Sequence, residues 1–276
     1  MRDASRMVLY RPHRWHVQQA GAGDDLILIH GAGGATQSWR GLFPLLAATH
    51  RVTAIDLPGQ GFTQLGAQGR CGLDSMAHDI AALIAHLDIR PAALIGHSAG
   101  AAIALRLAEM GPRAPVIGIN AALGNFKGVA GWLFPMLAKV LALSPFTADL
   151  LSRAASETAV RNMIRSTGSV LDDAGIALYL RLLADRDHVD GTLSMMAQWR
   201  LDPLLARLPQ TAVPVTLITA AQDGAVPPAT SRDAAQRIPD AHLVALPTGG
   251  HLLHEEDPAT IAALIRTVLT RTARSA

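Results

Sequence analysis

The sequence predicts an α/β fold built on a mostly parallel, doubly wound sheet. Short apolar strands alternate with segments of helical periodicity between residues 26 and 119, and the strand pattern returns after residue 214. The stretch in between contains helical segments and no convincing strand. Strands that alternate with helices in this way are typical of parallel sheets, because a crossover between parallel strands is usually a helix.

Eight strands are expected. The first two flank the Arg11-Pro12 turn, and several of the others are unbroken apolar runs. Such runs are typical of strands that are buried on both faces of a sheet. In chain order the predicted strands cover residues 7–10, 15–18, 26–29, 52–55, 92–95, 116–119, 215–218 and 242–246.

Helices are predicted between these strands. An alanine-rich helix follows residue 98 and stops at Gly111-Pro112, as expected for a glycine at a helix C-terminus. The last helix begins at Pro258, with Asp257 as its cap, and runs to about residue 271.

Residues 121–208 form a long helical insertion, which we predict to be a cap over the sheet edge where the parallel strands end. The chain is then a single domain, residues 1–276, with a core of residues 1–120 and 209–276 and a cap inserted after the sixth strand. Ligand clefts favour the interface between such lobes. The alternative is a helical face packed sideways on the sheet without contact to a substrate.

The strand at residues 92–95 leads into Gly96-His97-Ser98-Ala99-Gly100, a G-x-S-x-G turn that a helix follows. In this context the motif holds a serine hydroxyl above the sheet edge, where it can act as a nucleophile. The amide of Ala99 opens the helix, and the partial positive charge there favours an oxyanion. The alternative is a glycine-rich turn whose serine only caps the helix.

A serine nucleophile needs a base, and the base needs an acid to orient it. Asp223 follows the strand at 215–218 and His251 follows the strand at 242–246, so both reach the sheet edge that carries Ser98. Taken singly, Asp223 is as typical of an ordinary turn as of a catalytic acid. Taken singly, His251 is typical of an ordinary loop. Together, in the order serine, acid, histidine, the three residues predict a catalytic triad.

The loop after residues 26–29 is predicted to supply a second oxyanion donor. It reads His30-Gly31-Ala32-Gly33-Gly34, and the amide of Ala32 is the expected donor, with that of Gly33 as the next candidate. Gly31 and Gly33 are also expected to border the substrate. The glycines equally allow a tight turn, which is compatible with this role. His30 is expected to be a structural hydrogen-bonding residue and not a second base.

Large apolar side chains of the insertion are predicted to line a pocket for a small apolar substrate. Methionine in particular adapts its shape to large apolar ligands. At helical spacing the same residues are also typical of an ordinary core, and that alternative stays open. The predicted pocket residues are Trp132, Tyr179, Met195 and Trp199.

Composition and motifs exclude several functions. The formal net charge is only +2 and the basic residues are scattered, so no nucleic-acid surface is expected. No H-E-x-x-H motif and no complete G-x-G-x-x-G motif occurs, so neither a metal nor a cofactor is expected.

The chain is expected to be cytoplasmic. Its single cysteine, Cys71, allows no intrachain disulfide, and its first residues lack the apolar segment of a signal peptide. The most apolar run, residues 128–143, is interrupted by Pro135 and Lys139 and is shorter than the ~20 residues that cross a bilayer. No transmembrane segment is therefore expected, and at most this run would contact a membrane from the side.

The motifs together resemble the α/β-hydrolase superfamily, and the resemblance covers essentially the whole chain. It rests on the loops at residues 30–34 and 56–61, the turn at residues 96–100, Asp223 and Gly250-His251. The resemblance implies an α/β-hydrolase fold with Ser98, Asp223 and His251 as the triad. The chain departs from the superfamily at Gln60, where a histidine is common.

More narrowly, the chain resembles the magnesium-chelatase accessory proteins of bacteriochlorophyll biosynthesis. The resemblance implies a role at or near magnesium insertion into protoporphyrin IX, a tetrapyrrole as ligand, and association with magnesium chelatase. It does not identify a reaction. The segments that carry it include Ala-Leu-Tyr-Leu-Arg-Leu-Leu at 177–183, His-Val-Asp-Gly at 188–191, Met-Met-Ala-Gln-Trp at 195–199 and His-Leu-Leu-His-Glu-Glu at 251–256.

The predicted function is acyl hydrolysis of an ester-type substrate. A serine nucleophile argues against dehalogenase and epoxide hydrolase chemistry, in which an aspartate occupies that position. Esterase, thioesterase, C–C hydrolase and cofactor-free peroxidase activities all remain open. The alternative is a non-catalytic tetrapyrrole-binding accessory protein that keeps a vestigial triad.

Overall fold

One eight-stranded sheet organises the chain in the computed structural model, which describes residues 4–124 and 146–275. Its spatial order is β1-β2-β4-β3-β5-β6-β7-β8. The strands are β1 Ser5–Tyr10, β2 His13–Ala20, β3 Asp25–Ile29, β4 Arg51–Ile55, β5 Pro91–His97, β6 Val116–Ile119, β7 Val215–Ala220 and β8 Ala241–Leu246.

Only the first part of the sheet is antiparallel. Strand β2 runs antiparallel to both β1 and β4, and each later neighbouring pair from β4 to β8 is parallel. The carboxyl ends of β3 to β8 therefore meet at one edge. The prediction of a mostly parallel sheet is confirmed.

Helices connect these strands. Those of the core are α1 Leu42–Ala47, α2 Leu73–His86, α3 Ala99–Met110, α9 Pro228–Arg237, α10 Leu253–Glu256 and α11 Pro258–Ser275. Those between β6 and β7 are α4 Thr147–Arg153, α5 Glu157–Ser166, α6 Asp173–Ala184, α7 Arg186–Gln198 and α8 Asp202–Arg207.

Alternate residues of β3 pack into two separate hydrophobic clusters. Ile27 and Ile29 belong to the cluster that contains residues of α2 and α3. Leu26 and Leu28 belong to the other, which contains residues of α1 and α11. All four side chains are fully buried. Helices therefore cover both faces of the sheet, which explains why its central strands are unbroken apolar runs.

The helices between β6 and β7 have well-defined beginnings. The side chains of Ser156, Asp172 and Asp185 accept backbone N–H groups at the N-termini of α5, α6 and α7. This capping satisfies amides that have no partner inside the helix. The described part of residues 121–208 is helical and contains no strand.

The insertion also packs on the core. Val160 and Ile164 of α5 form a small hydrophobic cluster with Leu252, which directly follows the predicted catalytic histidine. The boundaries of a cap at residues 121 and 208 stay a prediction. Trp132 and the apolar run at 128–143 lie outside the described residues. Among the helices that the structure describes, none has the length and hydropathy to span a bilayer.

Strand β5 and helix α3 cross the neighbouring strand at very close range. A Cβ placed on Gly100 would lie 2.1 Å from the carbonyl oxygen of Ile29 and 2.5 Å from that of His30. Backbone atoms at this distance cannot move aside without a shift of β3. The turn after β5 therefore has room only for glycine at position 100.

We predict that Gly100→Ala lowers the free energy of unfolding by more than about 2 kcal/mol, because the new methyl group meets backbone and not a flexible side chain. In an ordinary helix the same change stabilises by roughly 0.5–1 kcal/mol. Urea denaturation measures the difference.

Gly111→Ala is the matched control. Gly111 caps the same helix at its other end, and a Cβ there would meet no atom within 4 Å. Equal stabilities for the two variants would contradict the close approach at Gly100.

Candidate active site

Ser98 occupies the turn between β5 and α3 in a strained conformation, with φ 51° and ψ −118°. Positive φ is rare for residues other than glycine and is characteristic of functional turns. Backbone hydrogen bonds hold it, because Ser98 N–H donates to Ile119 O at 3.0 Å and Ser98 O accepts from Ala101 N and Ala122 N at 3.1 Å each. The turn is therefore fixed to the end of β6.

Asp223 and His251 lie at the ends of β7 and β8 and contact each other. His251 Nδ1 donates to Asp223 Oδ2 at 2.9 Å. The other carboxylate oxygen of Asp223 accepts the backbone N–H groups of Ala225 and Val226, both at 2.8 Å. The carboxylate is fully buried. This pairing keeps the proton of the His251 ring on Nδ1, which leaves Nε2 able to accept a proton.

The contact between Ser98, the predicted nucleophile, and His251, the predicted base, is open in this structure. Within the described residues, neither Ser98 Oγ nor His251 Nε2 makes a hydrogen bond. Hydrogen bonds of this kind are commonly long before substrate binds and tighten in the complex. The structure thus brings Asp223 and His251 together, and it places Ser98 in the adjoining turn.

Asn120, which directly follows β6, ties these elements together, and the motif analysis assigned it no function. Its Nδ2 donates to Gly250 O and His251 O at 2.9 Å each, and its Oδ1 accepts from Ala220 N at 2.9 Å. Asn120 also has a positive φ of 45°, which asparagine tolerates better than most residues. It therefore links the loop of His251 to the ends of β6 and β7.

A turn of the insertion, residues 167–169 between α5 and α6, supports the loops of both Asp223 and His251. The carbonyl of Thr167 accepts from His251 N at 3.1 Å and from Gly224 N at 3.0 Å. The hydroxyl of Ser169, fully buried, accepts from Leu252 N at 2.8 Å. The insertion is thus part of the framework that holds Asp223 next to His251.

The loop after β3 lies against Ser98. A Cβ placed on Gly31 would be 3.0 Å from Ser98 Cβ. The carbonyl of Gly31 accepts from His30 Nδ1 at 2.8 Å and from Gly34 N at 3.1 Å. Because a trans peptide is planar, the N–H of Ala32 points away from that carbonyl. No acceptor for the Ala32 amide occurs among the described residues, so this donor is free.

The backbone amides of Ala99 and Gly33 differ in whether they have a hydrogen-bond acceptor. Ala99 is the first residue of α3, and its amide has no carbonyl partner within the helix. The amide of Gly33, in contrast, donates to Gln60 Oε1 at 2.9 Å. Of the two candidates in the loop after β3, Ala32 therefore has the available N–H. The sequence reasoning gave Gln60 no part in the triad and missed this contact with the neighbouring loop.

Both ring nitrogens of His30 are engaged in hydrogen bonds, so His30 is not placed to act as a second base, and His97 is tied to the loop of His251. His30 Nδ1 donates to Gly31 O, while Leu57 N donates to His30 Nε2 at 2.9 Å. His97 Nε2 donates to His251 O at 2.8 Å, with the two rings 4.7 Å apart. Burial lowers the pKa of both rings, that of His97 well below its usual value, so both are neutral.

The predicted pocket residues that the structure describes are well packed. Met195 is buried in the main cluster, and its Sδ accepts from Gln60 Nε2 at 3.1 Å. Trp199 is partly buried against the same cluster. Tyr179 is buried, and its hydroxyl donates to Glu255 Oε1 at 2.7 Å. Their contact with a substrate remains a prediction. No cluster of His, Cys, Asp or Glu suited to a metal occurs in the described ranges.

Glu255 is a buried carboxyl group beneath the loop of His251. Burial raises its pKa to about 8, against the opposing effects of the Tyr179 hydrogen bond and of Arg40, whose Nε lies 4.0 Å from Glu255 Oε2. Arg40 also pairs with Asp172, the N-cap of α6. These contacts join the insertion to the core beside the predicted triad.

A parallel sheet that carries a serine turn, an acid and a histidine after its strands β5, β7 and β8 is the arrangement of the α/β hydrolases. The chain belongs to the α/β-hydrolase fold family, whose model matches residues 25–258. A magnesium-chelatase 30 kDa subunit of Rhodobacter capsulatus is 49% identical over 247 residues, which are 88% of this chain and 87% of that protein. The expected resemblance to magnesium-chelatase accessory proteins is confirmed.

More distant relatives share the fold. A pimeloyl-[acyl-carrier protein] methyl ester esterase of Nitrosomonas europaea is 28% identical over 240 residues, 86% of this chain and 92% of that protein. The crystal structure of an α/β hydrolase fold protein from Burkholderia ambifaria matches with a TM-score of 0.80 at 23% identity, covering 95% of this chain and 97% of that one. At that identity the structural match shows the fold alone.

We predict that Glu255→Gln changes how stability depends on pH. Between pH 4.5 and about 8 the folded protein keeps a proton on Glu255 that the unfolded chain releases, so rising pH destabilises the folded wild type. Glutamine carries no such proton. The melting temperature of the variant should therefore rise relative to that of wild type as the pH increases from 5 to 8.

Glu157→Gln is the control, since Glu157 is exposed and pairs with Arg161 on the surface of α5. Thermal unfolding at several pH values measures all three proteins. A difference between Glu255→Gln and wild type that does not vary with pH would show that Glu255 is already ionised at neutral pH.

Proposed function

We propose that this protein is a serine hydrolase that cleaves an ester-type acyl bond. The observation that carries the proposal is the pairing of His251 Nδ1 with the buried carboxylate of Asp223, beside a serine in the strained turn of a nucleophile. Ser98 is the nucleophile, His251 the base and Asp223 the acid that orients it. The pimeloyl ester esterase from Nitrosomonas europaea supports this chemistry by analogy.

In the first half-reaction Ser98 Oγ attacks the substrate carbonyl carbon, and His251 Nε2 takes the hydroxyl proton. The carbonyl π bond becomes an oxyanion, which the amides of Ala32 and Ala99 stabilise. Collapse of this intermediate breaks the bond to the leaving group. The leaving oxygen receives the proton from His251, and the acyl group stays on Ser98.

In the second half-reaction water replaces the leaving group. His251 Nε2 takes a proton from the water as its oxygen attacks the acyl carbon, and the same two amides hold the new oxyanion. The bond to Ser98 Oγ then breaks and Oγ recovers the proton from His251. The products are a carboxylic acid and free Ser98, and Asp223 holds the His251 ring in place throughout.

The substrate is proposed to be a small apolar molecule related to a tetrapyrrole, and the reaction to belong near magnesium insertion in bacteriochlorophyll biosynthesis. The relative from Rhodobacter capsulatus, named a magnesium-chelatase subunit, supports this placement and an association with magnesium chelatase. The residues proposed to border the substrate are Gly31, Gly33, Trp132, Tyr179, Met195 and Trp199.

A second candidate is a non-catalytic accessory protein that binds a tetrapyrrole. Two observations favour it: the relative from Rhodobacter capsulatus is named as a magnesium-chelatase subunit, and Ser98 Oγ has no hydrogen bond to His251 among the described residues. In this case the triad would be vestigial and the protein would present its ligand to the chelatase.

We predict that a fluorophosphonate probe labels the wild-type protein on Ser98. Ser98→Ala should not label, and His251→Gln should label at least about a hundredfold more slowly, because it lacks the base that activates the serine. Intact-protein mass spectrometry measures the labelled fraction over time. Ser75→Ala, on α2 and outside the serine turn, is the matched control and should label at the wild-type rate.

The same variants separate the two candidates in cells. In a bacterium that lacks the related magnesium-chelatase subunit, the wild-type protein should restore pigment synthesis and Ser98→Ala should not. Full restoration by Ser98→Ala would contradict a catalytic role and favour the accessory protein.

A further inference from the structure

Helix α7 of the insertion contacts the loop after β4 backbone to backbone. A Cβ placed on Gly191 would lie 2.0 Å from Gly59 O, and one placed on Gly59 would lie 2.9 Å from Gly191 Cα. Neither position has room for a side chain. The helix therefore sits directly on residues 59–61, without the adjustable layer of side chains that separates most packed elements.

His188 on α7 bridges two loops of the core. The N–H of Gly61 donates to His188 Nδ1 at 3.0 Å, while His188 Nε2 donates to Gly33 O at 3.2 Å. A ring that accepts at one nitrogen and donates at the other is neutral. Its burial, with 3% of the residue exposed, agrees with a pKa lowered to about 4. One imidazole thus joins the loops that follow β3 and β4.

Gln60 completes the connection. Its fully buried side chain accepts the N–H of Gly33 at Oε1, at 2.9 Å, and donates from Nε2 to Met195 Sδ on α7, at 3.1 Å. Both polar backbone groups of Gly33 are therefore held from the insertion, the carbonyl by His188 directly and the amide through Gln60.

The position of Gly33 matters because it is bonded to Ala32. His30 fixes the Gly31 carbonyl on the sheet side of this turn, and His188 and Gln60 fix Gly33 on the side of the insertion. The Ala32 amide lies between these two anchors. A shift of either anchor would rotate the peptide that carries the Ala32 N–H.

We infer that His188 and Gln60 are positioning residues that aim the Ala32 amide at the oxyanion, so that helix α7 controls the reactivity of Ser98. The inference rests on the proposed function. The alternative is that His188 only holds α7 against the core. The positioning role differs from it by predicting a loss in turnover and no loss in substrate binding.

Two substitutions separate the contacts of His188. Glutamine can place an amide nitrogen where His188 Nε2 lies and so keep the donor to Gly33 O. Asparagine can place an oxygen where Nδ1 lies and so keep only the acceptor for Gly61 N. Gln60→Met, of similar length, removes the acceptor of the Gly33 N–H and leaves His188 untouched.

The test is the hydrolysis of p-nitrophenyl acetate and the rate of fluorophosphonate labelling. His188→Asn and Gln60→Met should lower kcat and the labelling rate roughly tenfold to a hundredfold, less than loss of an oxyanion donor, which typically costs ~10²–10³. KM should stay within about twofold. His188→Gln should keep most of the activity, and Asp187→Asn, on the exposed face of the same helix, should match wild type.

Backbone amide resonances give a readout that does not depend on turnover. The ¹H–¹⁵N signals of Ala32 and Gly33 should move in His188→Asn and Gln60→Met and stay near their wild-type positions in His188→Gln and Asp187→Asn. Unmoved Ala32 signals, or equal kcat in His188→Asn and His188→Gln, would overturn the inference. A wild-type Ser98 that does not react would instead overturn the proposed function, and the amide signals would still decide whether His188 positions the loop.

Discussion

The hydrogen bond from His251 Nδ1 to Asp223 Oδ2 is the interaction on which the proposed chemistry depends. It leaves Nε2 of the imidazole available as a base and keeps a buried carboxylate paired. The two residues come from separate strands, β7 and β8, whose ends are adjacent in the sheet. Their alignment is therefore only as good as the contacts that hold the two loops together.

Those contacts come largely from outside the two loops. The Thr167 carbonyl joins His251 to the loop of Asp223, and Asn120 joins the His251 loop to β6 and β7. Because Thr167 belongs to the helical insertion, that insertion cannot swing away as a detached lid without releasing its backbone hydrogen bonds to His251 and Gly224. The Thr167 contacts couple the insertion to the loops of Asp223 and His251. The contact of His188 with Gly33 couples it to the loop that carries Ala32.

Local pattern was enough to predict the sheet and to name the three residues of the proposed triad. Unbroken apolar runs mark strands buried on both faces, and Gly96 and Gly100 mark the two positions of the serine turn that have no room for a side chain. Asp223 and His251 could be identified because parallel strands bring their carboxyl ends to one edge, whatever the sequence between them.

The contacts that support the site are not marked by any comparable pattern in the sequence. The Thr167 interaction uses a backbone carbonyl, which any residue provides, so its residue type indicates nothing. The contact of His188 with Gly61 and that of Gln60 with Met195 each span more than a hundred residues of sequence. A single histidine or glutamine also belongs to no periodic pattern that could mark it. For Asn120 a hint existed, since asparagine after a strand tolerates positive φ, but only the structure connects it to His251.

The most direct measurement is a crystal structure of the protein after reaction with a fluorophosphonate. We predict phosphorus bonded to Ser98 Oγ, with the phosphoryl oxygen about 2.7–3.1 Å from the amides of Ala32 and Ala99 and the His188 contact to Gly33 intact. A phosphoryl oxygen turned away from both amides, or phosphorus on another residue, would contradict it.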